Sequence, residues 1–301
     1  MRISTSYIAQ RSIDAMLKQQ TALAETQLQL TSGKRILNPS DDPVTAVKTL
    51  DLQRQINLSE QYLTNADTAE SKLTVTDGIL SSATDILQRI RELAIQGLND
   101  TNDGIARKGI AEEIYQLNES LVGLANTRDS NGESLFSGFQ SDVQAFNPTT
   151  YAYGGDSGQR SVRIADGFLV EINEPGDTVF STATIAGPTQ AIFQTIQDFA
   201  DALDTNTVGT PPNNGDFLGN MDTGMDAVFA ARTRIGARLN AVEQQRDINE
   251  LTKFSQQTTL SQVVDLDYAE AISRLNLQLT GLQAAQQSFV RVQGLSLFNF
   301  L

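Results

Sequence analysis

The chain has 301 residues, enough for one large domain or a few small ones. Its 22 basic residues against 36 acidic ones give a net charge of −14, so neither nucleic acid nor an anionic membrane surface is an expected partner. Cysteine, histidine and tryptophan are absent, which excludes disulfides and thiolate zinc sites and removes the side chain most used for proton transfer near neutral pH. No apolar run is long enough to span a bilayer, and the start MRISTSYIAQRS lacks the apolar stretch of a secretory leader, so export would need another route.

In chain order, Met16, Leu23, Leu30 and Leu37 fall seven apart with Ile13 and Leu17 beside them, the seam spacing of packed helices. Gln20 and Gln27 at companion positions make this a weak seam. NPSDDP (38–43) interrupts it, and Asp42 before Pro43 reads as a helix cap followed by proline at the first helical position. From Pro43 the stripe resumes through Leu52, Ile56, Leu63, Ala66, Leu73, Leu80, Leu87 and Ala94. A continuous helix to Leu98 would be roughly 84 Å long, at about 1.5 Å per residue. NDTNDG (99–104) ends it, and Ile110, Ile114, Leu117, Leu121 and Leu124 predict a return helix.

Between Phe139 and Ala186 the period changes. Val162, Ile164, Leu169 or Phe168, Val170 and Ile172 alternate between GGDSG, ADG and EPGD turns, which predicts a small β unit. Helical spacing returns at Ile192, Ile196, Phe199 and Leu203, breaks at TPPNNGD (210–216), and continues from Leu218 through Met221, Met225, Val228, Ile235 and Leu239 to Val242. Asp265 and Asp267 open a last helix bearing Tyr268, Ile272, Leu275, Leu279, Leu282 and Phe289.

The expected fold is mainly α: an elongated antiparallel helical bundle made by both chain ends, with a small inserted β-rich domain. Residues 1–40 plus 265–301 form a terminal coiled-coil segment, 41–138 plus 187–264 a long helical bundle, and 139–186 the β-rich outer domain.

No nucleophile elbow or phosphate loop occurs, and TSGKR (31–35) shares only a Gly-Lys pair with the latter. DTNDG (100–104) fails calcium-loop spacing, with its glycine fifth and no glutamate at the twelfth place. No catalytic residue, metal site or cofactor is expected.

The two ends each offer one narrow apolar stripe with glutamine-rich flanks, too little to repay roughly 1 to 2 kcal/mol of backbone entropy per ordered residue. The chain also closes on VRVQGLSLFNFL, an apolar cluster where polar residues are usual. Ile3, Ile8, Met16, Leu23 and Leu30 from the start are therefore the expected assembly interface, with Tyr268, Ile272, Leu275, Leu279, Leu282, Phe289, Leu295, Leu297, Phe298 and Leu301 from the end. The ends are expected to be loose in a single copy and to order against neighbours.

TQLQLTSGKRILNPSDDP (26–43) resembles the N-terminal signature of the flagellin superfamily. NTRDSNGESLFSGF (126–139), RTRIGARLNAVE (232–243) and the stretch from Asp265 to Leu301 resemble its later motifs, in the same order. Asp42-Pro43-Val44 after the paired acids, the ending SLFNFL and the β segment 153–180 resemble members that join hook to filament more than the filament subunit, a short divergent filament flagellin being the alternative.

The resemblance implies a structural subunit, not an enzyme, that is secreted unfolded by flagellar type III export without a cleaved signal. A chaperone would hold its C-terminal helix beforehand. It would then sit outside the cell as a ring of identical copies between a preceding hook-associated protein and flagellin.

Overall fold

The computed structural model describes residues 5–182, 190–208 and 217–297. In chain order these form α1 (Thr5–Ser32), α2 (Pro43–Gly97), α3 (Gly104–Ala125), β1 (Ser161–Ala165), β2 (Phe168–Glu171), α4 (Gly176–Val179), β3 (Ser181–Thr182), β4 (Gln190–Ala191), α5 (Ile192–Asp204), α6 (Phe217–Val264) and α7 (Tyr268–Leu297). The fold is mainly α with a small β-rich insert. Two compact units divide it: Met1–Leu58 with Thr252–Leu301, and Ser59–Leu251.

Local chemistry sets the helix starts. Asp42 caps α2, accepting from the Thr45 amide at 3.0 Å and the Thr45 hydroxyl at 2.5 Å, and these bonds hold its carboxyl below the usual range. Asp103 caps α3 through the Ala106 amide at 2.8 Å. Asp267 caps α7, accepting from the amides of Ala269 and Glu270.

Asp265, expected beside Asp267 at the start of that helix, serves the other side instead. Its amide donates to Ser261 and its carboxylate accepts from the Ser261 hydroxyl, finishing α6. Only residues 265–267 separate the two helices, so one acid closes the first and the other opens the second.

In the larger unit, the predicted stripes become one core. Leu73, Leu80, Leu87 and Ile90 of α2 are fully buried with Ile114 and Leu121 of α3, Ile192 and Ile196 of α5, and Met221 and Ile235 of α6. Phe136, Phe146, Phe180 and Phe193 add an aromatic cluster with ring centroids 5.0 to 5.9 Å apart.

β1 and β2 pair antiparallel, with Val162 opposite Val170 and an irregularity between Arg163 and Ala165. That irregularity breaks the inward alternation. Ile164, Val170 and Ile172 are buried, whereas Phe168 and Leu169 both face outward. The hairpin is tied to the long helices through main-chain oxygens: Asn65 of α2 donates to the Arg163 carbonyl at 2.7 Å and Asn249 of α6 to the Ile164 carbonyl at 2.8 Å.

Candidate assembly surface

The smaller unit holds the residues the sequence marks for assembly. α1 and α7 pack together, and the contact pairs run in opposite directions along the chain: Gln19 Nε2 donates to the Gln278 carbonyl (3.3 Å), Arg274 to Gln29 Oε1 (3.4 Å), and Gly33 lies against Tyr268. The pair is therefore antiparallel. At its closed end the main chain crosses itself: the Arg35 amide donates to the Val264 carbonyl at 2.8 Å and the Leu266 amide to the Gly33 carbonyl at 3.0 Å. Leu266 and Ala271 are buried there.

Gly33 makes this crossing feasible. Its φ is +70°, and an added Cβ would stand 2.9 Å from the Tyr268 hydroxyl. Gly33→Ala is expected to cost about 1 to 2 kcal/mol, the usual penalty for a side chain in left-handed backbone. Hydrogen exchange should show it as faster exchange at the Leu266 and Arg35 amides, with the larger unit unaffected.

One face of the pair remains open. Met16, Leu23, Leu30, Leu275, Leu282 and Phe289 are half-buried, while Tyr268 (52%), Ile272 (49%) and Leu279 (36%) are exposed. Ile3, Phe298 and Leu301 lie outside the described residues. Ile8, Leu295 and Leu297 are on helices, but their side chains lie outside the description.

The ends, expected to be loose in a single copy, are helical and paired over the described residues. The main-chain crossing supplies a fixed start that amphipathic stripes alone lack. Some buried polarity is unmatched even so: Arg274 Nε and Gln278 Oε1 are buried and find no hydrogen-bond partner among the described residues.

Four further exposed apolar residues of this unit lie outside the heptad reading. Val44 (79%), Val47 (68%) and Leu50 (71%) form an exposed apolar line on α2, and Phe254 (69%) is bare on α6. A signal for the three on α2 exists in the sequence: they fall away from Leu52 and Ile56, which the seam claims, yet a purely solvated face would not be apolar.

The quoted motifs of the larger unit turn out to be its internal fastenings. In 126–139, Asn126 exchanges two hydrogen bonds with the Phe146 main chain at 2.8 and 2.9 Å. Lys72 Nζ lies 2.8 Å from Glu133 and 3.3 Å from Asp129, and Arg160 Nη1 lies 2.9 Å from Glu133. In 232–243, Arg234 and Arg238 converge on Glu174, which is 1% exposed, at 2.8 and 2.6 Å; Arg238 also pairs with Glu171.

Hydrogen bonds from Lys72 and Arg160 hold the Glu133 carboxyl below its ordinary range. Burial pushes Asp129 upward, but the amides of Glu133 and Asn131 together with Lys72 outweigh it, and the net shift is downward. A carboxyl lowered in the fold contributes stability that is fully present above its unfolded value, about 4, and lost as pH falls through the folded one. Acid titration of the circular dichroism signal should be flat above about pH 5 and decline below about pH 4, with a shallower decline in Glu133→Gln.

Residues 3–141 match the family model of the bacterial flagellin N-terminal helical region. That stretch is just under half of the chain, and over it the chain is similar to the bacterial flagellins. Two relatives align along nearly its whole length. Flagellar hook-associated protein 3 of Escherichia coli K12 is 26% identical, and that of Salmonella typhimurium 24%, each over 99% of both chains. A flagellin of Clostridium tyrobutyricum is 31% identical over 46% of this chain and 37% of its own.

Among solved structures, a hook-associated protein of Vibrio parahaemolyticus superposes with TM-score 0.69 at 24% identity, covering 75% of this chain and all of that one. One of Legionella pneumophila gives 0.65 at 22%, covering 70% and 98%. These share the fold.

Among the described residues there is no cluster of three acids placed to hold a metal ion, and no helix is long and apolar enough to cross a membrane.

Proposed function

We propose that this chain is the subunit that joins the flagellar hook to the filament. The observation that carries the reading is the alignment with hook-associated protein 3 over 99% of both chains. In this reading residues 1–40 and 265–301 are the assembly segment, 41–138 with 187–264 the helical body, and 139–186 the outward-facing part. Identical copies close a ring through the open face of α1 and α7, with Val44, Val47, Leu50 and Phe254 adding contact area. One rim meets the preceding hook-associated protein and the other the first flagellins. The chain leaves the cell unfolded through the flagellar export route without a cleaved signal, its C-terminal helix held by a chaperone until then. No cofactor or catalysis enters.

A short filament flagellin is the second reading, supported by 25% identity to a Bacillus subtilis flagellin over 95% of this chain. Labelling intact cells separates the two. A single narrow band at the filament base supports the junction; label along the filament supports the flagellin; absence of surface label defeats both.

A further inference from the structure

The hairpin around residues 128–134 carries Asn131-Gly132, a pair in which the following main-chain nitrogen reaches the asparagine carboxamide with no side chain in its way. Asn131 is exposed, and a Cβ built on Gly132 would meet nothing within 4 Å. Neither burial nor crowding shields the pair. The main chain does. The Gly132 amide donates to the Asp129 carbonyl at 2.9 Å, the Asn131 amide to Asp129 Oδ1 at 2.8 Å, and the Glu133 amide to the same oxygen at 3.0 Å. Arg128 Nη1 donates to the Gly132 carbonyl at 2.6 Å.

Gly132 has φ +81° and Asn131 is not among the positive-φ residues, so 129–132 is a type I turn with Asn131 at its third place. There ψ is near 0°, roughly 120° from the rotation that brings the Gly132 nitrogen alongside the Asn131 side chain.

We propose that Asn131 is a deamidation site gated by conformation, closed while this hairpin is formed and reactive whenever the chain is unfolded. The Gly132 nitrogen gives its proton to solvent base and bonds to Cγ of Asn131; the Cγ–Nδ2 bond breaks and ammonia leaves with a proton from solvent. Water then opens the five-membered imide at either carbonyl, restoring the Gly132 N–H and leaving a carboxylate on an aspartate or an isoaspartate. One carboxamide and one water thus become one carboxylate and one ammonium ion, with no oxidant or reductant.

An isoaspartate places an extra carbon in the main chain of a turn whose amides at 131, 132 and 133 all converge on Asp129. The turn then fails to close, and the contacts of Asp129 and Glu133 with Lys72 lose their anchor. A chain that lingers unfolded is thereby chemically marked.

The test ages the full chain at about pH 8, folded and in guanidinium, and maps residue 131 by mass spectrometry. Opening of the hairpin must precede reaction, so the folded rate should be lower by about tenfold or more. Equal rates in the two states overturn the gate. In the second arm, aged unfolded samples are returned to native buffer. The chain carrying isoaspartate at 131 should melt at lower temperature, whereas Asn131→Ser, which retains Asn214-Gly215, should refold undiminished. Equal loss in Asn131→Ser overturns the consequence assigned to the turn.

Discussion

Removal of Leu295–Leu301 should abolish filament growth while leaving residues 43–260 folded. The described points that fix α1 against α7, at Gln19 with Gln278, Gln29 with Arg274 and Gly33 with Leu266, all precede the deletion. The core of the larger unit, from Ala66 to Val242, is untouched. What is lost is an apolar segment of seven residues containing two leucines, two phenylalanines and a final leucine. At about 1.5 to 3 kcal/mol for each large apolar side chain buried, its contribution to a packed wall outweighs the contacts of most single sites. Thermal melting of the purified truncation should match the full chain, and electron microscopy of cells carrying it should show hooks without filaments. Normal filaments would sink the assembly role of the tail.

The double substitution Arg234→Ala with Arg238→Ala should be the most destabilising change in the larger unit. Glu174 is 1% exposed, and its two oxygens receive hydrogen bonds from both guanidiniums. Stripping both leaves a buried carboxylate without its counter-charges, which costs about 3 to 5 kcal/mol where a buried pair is broken from one side. Adding Glu174→Gln should recover part of the loss, because a neutral amide is cheaper to bury than a charge. Chemical denaturation of the three variants measures it. A double variant as stable as the parent would mean that Glu174 takes up a proton or turns outward at little cost.

Much of this architecture is legible in the sequence because its helices are long and strongly periodic. Leu73, Leu80 and Leu87 repeat at seven and are all fully buried, and the proline after Asp42 marks the start of α2 to the residue. Less visible is anything decided by neighbours distant in the chain. EPGD reads as a turn, yet its glutamate is a buried anchor, since a carboxylate takes that place only when two arginines some sixty residues away arrive on the facing side of α6.

The pair Asp265 and Asp267 looks like one acidic helix start until the length of α6 is known. Phe168 and Leu169 look like strand interior, but an irregularity in the pairing turns both outward. In the smaller unit the heptad stripe picks out Leu275 and Leu282, which are half-buried, but misses the exposed Val44, Val47 and Leu50, because a rule built on one seam does not register a second apolar line elsewhere on the same helix.

The crossing of Gly33 and Arg35 with Val264 and Leu266 is made by peptide groups. Peptide amides and carbonyls do not titrate in the range of natural waters, and dissolved ions weaken such short bonds far less than they weaken surface charge pairs. The base of the terminal helix pair should therefore hold alike in rainwater, brine and acid soil, whatever happens to the charged groups around it.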